Sequence, residues 1–132
     1  MSARNLDSFS VPAFEKGDVD VGNFDHEAHV YVGWLYLEKW QTAEAIERFT
    51  AALKRLTVQL GVPGKYHETI TWFYMLAIAE RRRQGESWLQ FRAANTDLLD
   101  RSDNILQRYY RPATLATERA RSGFVLPDLL AA

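Results

Sequence analysis

The strongest constraint in the sequence is a run of apolar residues that recur every three or four positions between residues 42 and 60. The run comprises Ala43, Ile46, Phe49, Leu53, Leu56 and Leu60. This spacing matches the period of an α-helix that buries one face. Gly61 follows in the position where helices commonly end, and Pro63 prevents the helix from continuing. The chain must therefore turn back after this helix.

Two further segments with helical spacing flank this run. One spans residues 25–40. The other spans residues 67–83 and ends shortly before Gly85. Shorter helices are predicted after Ser87 and Ser102, and no run of alternating β-branched residues is bounded by hairpin turns. The sequence therefore predicts an all-α fold, a compact antiparallel bundle of about five helices joined by short loops.

The two ends of the chain differ from this helical centre. Residues 1–22 contain two glycines and one proline among scattered apolar residues, which predicts an extended N-terminal arm. Residues 23–132 then form a single helical domain. Within it, the residues that follow Pro112 predict an irregular apolar clasp around positions 124–127.

Composition excludes several classes of function. The chain of 132 residues carries 16 basic and 17 acidic side chains, so it lacks the basic excess that nucleic-acid binding normally requires. It has no cysteine, which excludes disulfides, thiolate metal sites and cysteine nucleophiles. No apolar run approaches the length of a membrane span, and no hydrophobic signal region follows Met1. We expect a cytoplasmic protein with neither nucleic-acid nor membrane partners.

All three histidines, His26, His29 and His67, lie near the predicted starts of two long helices. Residues three apart share one face of a helix, so His26 and His29 can reach a single ion. The helices over residues 25–40 and 67–83 are separated by one antiparallel helix and therefore run in the same direction. This arrangement brings His67 to the same end of the bundle, where three imidazoles suit a transition metal.

A glutamate stands next to each histidine segment. The sequence predicts a mononuclear metal site of His26, His29 and His67, with Glu68 or Glu27 as the fourth ligand or as a catalytic general base. The metal would be one divalent ion of Fe, Zn, Cu or Mn. The His-Glu-x-His pattern differs from the His-Glu-x-x-His helix of zinc proteases, so a protease of that class is not indicated.

Small and aromatic residues near the histidines can wall a substrate pocket. They are Gly33, Tyr36, Tyr66, Trp72 and Tyr74. Aromatic residues at helical spacing also commonly form a core, which is the alternative interpretation of this set.

The leading hypothesis is thus a metalloenzyme that acts on a small molecule. One alternative is a metal-free acid–base enzyme, in which His67 or His29 is the base and Glu68 or Glu27 orients it. The other is a non-catalytic helical hairpin that binds a protein partner. Aromatic residues on the surface could form the contact of a homodimer, although no heptad pattern specifies one.

Two resemblances accompany these patterns. The first two long helices resemble a single tetratricopeptide unit, whose small and aromatic positions correspond here to Gly33, Tyr36, Ala45, Phe49 and Ala52. The chain from Phe24 to Asp128 resembles a group of short, uncharacterised bacterial all-α proteins. Its shared segments are Phe24-x-His26-x-x-His29, Gly64-Lys65-Tyr66-His67-Glu68-Thr69, Arg108-Tyr109-Tyr110 and Phe124-Val125-Leu126-Pro127-Asp128. The second resemblance implies one all-α domain and no particular activity.

Overall fold

The computed structural model describes residues 5–129, so the first four residues of the predicted arm and the last three residues of the domain lie outside the described part. Within residues 5–129 all regular structure is helical, which confirms the all-α prediction. The α-helices are α1 (Val11–Lys16), α2 (His26–Lys39), α3 (Thr42–Gln59), α4 (Glu68–Arg81), α5 (Trp88–Ala94), α6 (Pro112–Leu115) and α7 (Glu118–Ser122). Short 3-10 turns cover Val21–Asn23, Pro63–Lys65, Thr96–Leu98 and Ile105–Arg108. Across this described stretch, no helix has both the length and the apolar character that crossing a membrane requires.

The ends of α2 and α3 follow from local chemistry. Asp25 caps α2, because its side chain accepts a hydrogen bond from the backbone N–H of Ala28 at 3.1 Å. The chain is extended at Trp40, and α3 begins at Thr42 without a side-chain capping hydrogen bond. Gly61 follows α3 with φ of 73°, a left-handed conformation that glycine adopts without steric cost. The predicted turn after this helix is therefore present.

Helices α2 and α4 lie side by side and run in the same direction. Near the start of α2, the ring of His26 contacts the ring of Tyr74 with 4.9 Å between centroids. Near its end, Glu38 Oε1 lies 3.0 Å from Arg82 Nη2. Because both residue numbers increase together along the interface, the two helices are parallel, as their separation by α3 predicts. Helix α3 contacts both of them.

Helix α5 returns along α2 in the opposite direction. The ring of Trp88 lies 5.7 Å from that of Trp34, and Arg92 Nε lies 2.7 Å from Glu27 Oε2. Higher numbers on α5 thus meet lower numbers on α2. The antiparallel relation follows from the short loop between α4 and α5.

The N-terminal region is not simply extended. Residues 11–16 form α1, because Ser10 caps the helix by accepting a hydrogen bond from the N–H of Ala13, and Gly17 ends it with φ of 72°. Phe14 is almost fully buried and stacks on Phe49 of α3 at 5.4 Å. The predicted arm is therefore part of the core over these residues.

The C-terminal segment is held against α4, as the predicted clasp requires. The hydroxyl of buried Thr69 donates to the carbonyl of Gly123 at 2.9 Å and accepts from the N–H of Val125 at 3.1 Å. The hydroxyl of Tyr110 donates to the carbonyl of Val125 at 2.6 Å. The helix predicted after Ser102 does not form. A 3-10 turn that Asn104 caps takes its place.

Helix α2 packs closely against α4 at Gly33. A Cβ atom on this residue would lie 2.8 Å from Met75 Sδ and 3.4 Å from Ile78 Cδ1. Met75 and Ile78 are each only 1% exposed and belong to the packed core. Glycine at this position therefore allows the two helices to pack directly on each other.

We predict that Gly33→Val lowers the free energy of unfolding by about 2 kcal/mol, because overpacking outweighs the small gain in helix propensity. Gly64→Ala is the matched control, since a Cβ atom there meets nothing within 4 Å. Denaturant unfolding measures both effects. Equal stability of Gly33→Val and the unmodified protein would show that α2 and α4 are not closely packed at this point.

Candidate functional site

A pocket of about 610 Å³ opens between α2, α3 and α4, and His26, His29 and His67 all line it. Its floor consists of buried apolar side chains from these three helices, namely Val30, Phe49, Leu53, Leu56, Met75 and Ile78. Protein interiors are normally close-packed, with few voids larger than a water molecule. A space of this size falls within the range of about 300–1,000 Å³ that ligand sites occupy.

His26 lines this pocket and keeps the lone pair of one ring nitrogen in its neutral form. Its Nε2 lies 2.7 Å from the carbonyl oxygen of Leu98. A carbonyl can only accept, so Nε2 carries the hydrogen and Nδ1 keeps its lone pair. Burial lowers the pKa of His26, the hydrogen bond to Leu98 opposes this effect, and the charge of Arg101 adds to it. His26 is therefore predominantly neutral near pH 7.

His29 has the opposite tautomer to His26. Its Nδ1 lies 3.0 Å from the carbonyl oxygen of Asp25, so Nδ1 carries the hydrogen and Nε2 keeps the lone pair. Its ring also contacts that of Phe24, with 4.1 Å between centroids. Burial lowers the pKa of His29, while the hydrogen bond to Asp25 opposes that shift. This imidazole is neutral near pH 7 and has an available acceptor nitrogen.

His67 has both ring nitrogens in hydrogen bonds. It is the N-cap of α4, where Nδ1 accepts from the N–H of Ile70 at 3.1 Å. On the other side of the ring, Nε2–H donates to the carbonyl of Leu115 at 2.7 Å. The side chain is only 8% exposed as a residue. His67 therefore joins the start of α4 to the C-terminal segment and has no lone pair left for a ligand.

The charges along the pocket are all of one sign. Lys65 and Arg101 contribute to the lining, and no aspartate or glutamate of the described residues does so. Within residues 5–129, neither cation forms an ion pair with a carboxylate. The other polar residues of the lining are Thr57, Tyr66, Thr71 and Tyr74. The Tyr74 hydroxyl donates to Asn104 Oδ1 at 3.3 Å, and burial raises the pKa of Tyr74 to about 12. The Tyr66 hydroxyl donates to Glu68, which lies outside the lining.

The residues predicted as pocket walls fall into two groups. Tyr66 and Tyr74 line the pocket, whereas Gly33, Tyr36 and Trp72 do not. Gly33 lies at the contact between α2 and α4. Tyr36 is fully buried and makes ring contacts in the core, and Trp72 packs beside the C-terminal clasp. Tyr36 is therefore a core residue, which is the alternative interpretation of aromatic residues at helical spacing.

Neither predicted catalytic glutamate lines the pocket. Glu27 pairs with Arg92 at 2.7 Å across the interface of α2 and α5. Glu68 accepts a hydrogen bond from the hydroxyl of Tyr66 and lies 3.7 Å from Lys54 Nζ. The groups that orient His29 and His67 are instead backbone carbonyls.

The predicted metal ligands share the pocket without forming a ligand set. Among the side chains that the structure describes, no group of three or more histidines, cysteines, aspartates or glutamates is arranged to hold a metal ion. His67 would have to break two hydrogen bonds to bind one. The positive charge of Arg101 beside His26 and His29 also disfavours a second cation there.

Sequence reasoning did not identify Arg101 as a site residue. It lies in an exposed loop after the Thr96–Leu98 turn, far along the chain from the histidines that it approaches. No local pattern marks this arginine, since its position depends on how α5 returns along α2. The sequence pattern includes Lys65 only in the segment from Gly64 to Thr69 and assigns no role to it.

Comparisons with protein-family models, with curated proteins and with solved structures find no match for this chain.

We predict that NMR near neutral pH finds His26 and His67 as Nε2–H tautomers and His29 as the Nδ1–H tautomer, because each assignment follows from a carbonyl acceptor. Long-range proton–nitrogen correlation spectra distinguish the two forms directly. Adding one equivalent of Zn²⁺ should leave the His67 signals in place. Loss of its Nε2–H form, together with one bound metal ion per chain, would instead support the three-histidine metal site.

Proposed function

We propose that this protein binds a small organic molecule in the pocket between α2, α3 and α4. The observation that carries the proposal is a buried apolar floor beneath polar groups of three histidines, two tyrosines and two cations. Water in contact with the apolar lining of the pocket is unfavourable, by about 25 cal/mol for each Å² of apolar surface. A ligand whose apolar part replaces that water therefore gains free energy from the space that the helices leave open.

The polar groups define what the rest of the ligand can carry. His26 Nδ1 and His29 Nε2 are acceptors, while Arg101 and Lys65 are donors with positive charge. A molecule with an apolar body and a short polar end is complementary to this combination. The buried side chains would contact the body, and the charged and imidazole groups would orient the polar end.

Acid–base catalysis is a second candidate, and the geometry of His29 favours it. Its Nε2 has no hydrogen-bond partner in the described part of the chain, and the Asp25 carbonyl holds the ring in the tautomer that exposes this lone pair. A neutral imidazole oriented in this way can accept a proton from a bound molecule. In this proposal a backbone carbonyl has the orienting role that the sequence assigned to Glu27 or Glu68.

The metalloenzyme hypothesis, with Fe, Zn, Cu or Mn, requires a different arrangement of the same residues. His67 would have to leave both its N-cap position and the Leu115 carbonyl, which would weaken the start of α4. His26 and His29 alone would supply two nitrogens, with no carboxylate of the described chain lining the pocket. The described geometry favours a metal-free ligand site over this hypothesis.

The protein-interaction alternative receives less support from α3. Its exposed face carries charged pairs, among them Arg48 Nε with Glu44 Oε2 at 2.8 Å and Arg55 Nη2 with Glu15 Oε2 at 3.9 Å. Such a surface is typical of a solvated helix. The homodimer and the hairpin module therefore stay hypotheses without a specific contact surface.

Binding of a neutral apolar dye tests the proposed function. We expect N-phenyl-1-naphthylamine to bind saturably, with one molecule per chain and enhanced fluorescence, and octanol to displace it. Ile70→Trp should weaken dye binding at least about tenfold, since Ile70 lines the pocket and the larger ring fills it. Val58→Trp is the matched control, because Val58 is 67% exposed on α3 and lies outside the pocket.

Circular dichroism and the thermal midpoint establish that both variants fold. Absence of saturable binding to the unmodified protein would refute the proposal. Equal binding by the folded Ile70→Trp and Val58→Trp variants would place the dye elsewhere and would refute it as well.

A further inference from the structure

We propose that the ligand of this pocket is an organic anion, a molecule with an apolar body and a single carboxylate that Arg101 binds. This inference rests on the proposed function, that the pocket takes a small organic molecule. It adds the sign of the ligand's charge and the residue that recognises it.

The first argument is charge complementarity. Arg101 and Lys65 line the pocket, and no acidic side chain among residues 5–129 lines it with them. Some arginines of the fold are paired with carboxylates, as Arg81 is with Asp97 at 2.7 Å and Arg92 with Glu27 at 2.7 Å. The two pocket cations have no such partner in the described chain. An anionic ligand would supply the missing negative charge.

Two carboxylates near the histidine segments are engaged with other groups. Glu68 accepts from the Tyr66 hydroxyl and lies 3.7 Å from Lys54 Nζ. Asp25 caps α2 through its side chain. Neither group neutralises Arg101 within the pocket. Arg101 therefore has no carboxylate partner in the described chain, and its charge can attract an anionic ligand.

The position of Arg101 supports the same conclusion. Arg101 lines the same pocket as His26 and His29, and its charge contributes to lowering the pKa values of both imidazoles. A guanidinium offers parallel N–H donors that match the two oxygens of a carboxylate. Both histidines present lone pairs here, which repel an anion at short range. The carboxylate therefore belongs beside Arg101, and a hydroxyl or other donor on the ligand would suit His29 Nε2.

Octanoate and octanol form the matched pair of probes, since they share an apolar chain of the same length and differ at the polar end. Each is titrated against the dye complex of the unmodified protein and of Arg101→Gln. We expect Arg101→Gln to weaken octanoate about tenfold and to change octanol less than about twofold. Raising the ionic strength should weaken octanoate selectively, because Arg101 lies at an exposed position.

Arg108→Gln is the control for net charge. It removes the same charge from an exposed arginine of the Ile105–Arg108 turn that does not line the pocket. Octanoate affinity should change less than about twofold in this variant. The thermal midpoints of both variants show whether folding is intact.

The outcomes separate the two proposals. Dye and octanol binding with equal effects of Arg101→Gln on octanoate and octanol would overturn the anion inference and leave the pocket function standing. Equal loss of octanoate affinity in Arg101→Gln and Arg108→Gln would show that the loss arises from net charge alone. This result would also overturn the anion inference. Failure of the dye and of both eight-carbon probes to bind would refute the proposed function, and this inference with it.

Discussion

The direct contact of α2 with α4 at Gly33 is the constraint on which the rest of the structure depends. The absence of a side chain there lets Met75 and Ile78 pack against the backbone of α2. The pocket opens on the N-terminal side of this contact, where His26, His29 and Val30 of α2 line it. The close packing at Gly33 and the pocket beside it are therefore parts of the same interface between α2 and α4.

Hydrogen bonds from two imidazoles to distant carbonyls organise the same end of the molecule. His26 reaches Leu98, and His67 reaches Leu115. Each bond ties a helix start to a segment far along the chain. The histidines thus have structural partners first, and only His26 Nδ1 and His29 Nε2 remain as acceptors for a bound molecule. This division of roles favours a binding pocket over a three-histidine metal centre.

The sequence predicts the long helices well because their signals are local. The apolar spacing of α3 and its end at Gly61 depend on nearby residues alone. The parallel relation of α2 and α4 follows from one intervening helix, so the histidines could be assigned to one end of the bundle. Other features depend on distant backbone. The carbonyls of Leu98 and Leu115 occupy nitrogens that the sequence assigned to a metal, and no spacing rule predicts where such carbonyls come to lie.

The same distinction explains the walls of the pocket. Tyr36 and Trp72 occupy helical positions as apolar as those of the lining residues. They lie outside the pocket because Tyr36 packs against Phe14 of α1 and Trp72 packs against Phe124 of the C-terminal clasp. Arg101 reaches the pocket through the return of α5 along α2, which involves contacts between residues far apart in sequence.

Intermolecular nuclear Overhauser effects between octanol and the protein test the central claim most directly. If the pocket accepts an apolar body, the alkyl protons of octanol will show cross-peaks to the methyl groups of Met75, Leu53 and Leu56, which form its buried floor. Cross-peaks confined to exposed methyl groups such as those of Leu89 and Leu126, with none to the floor, would contradict the account.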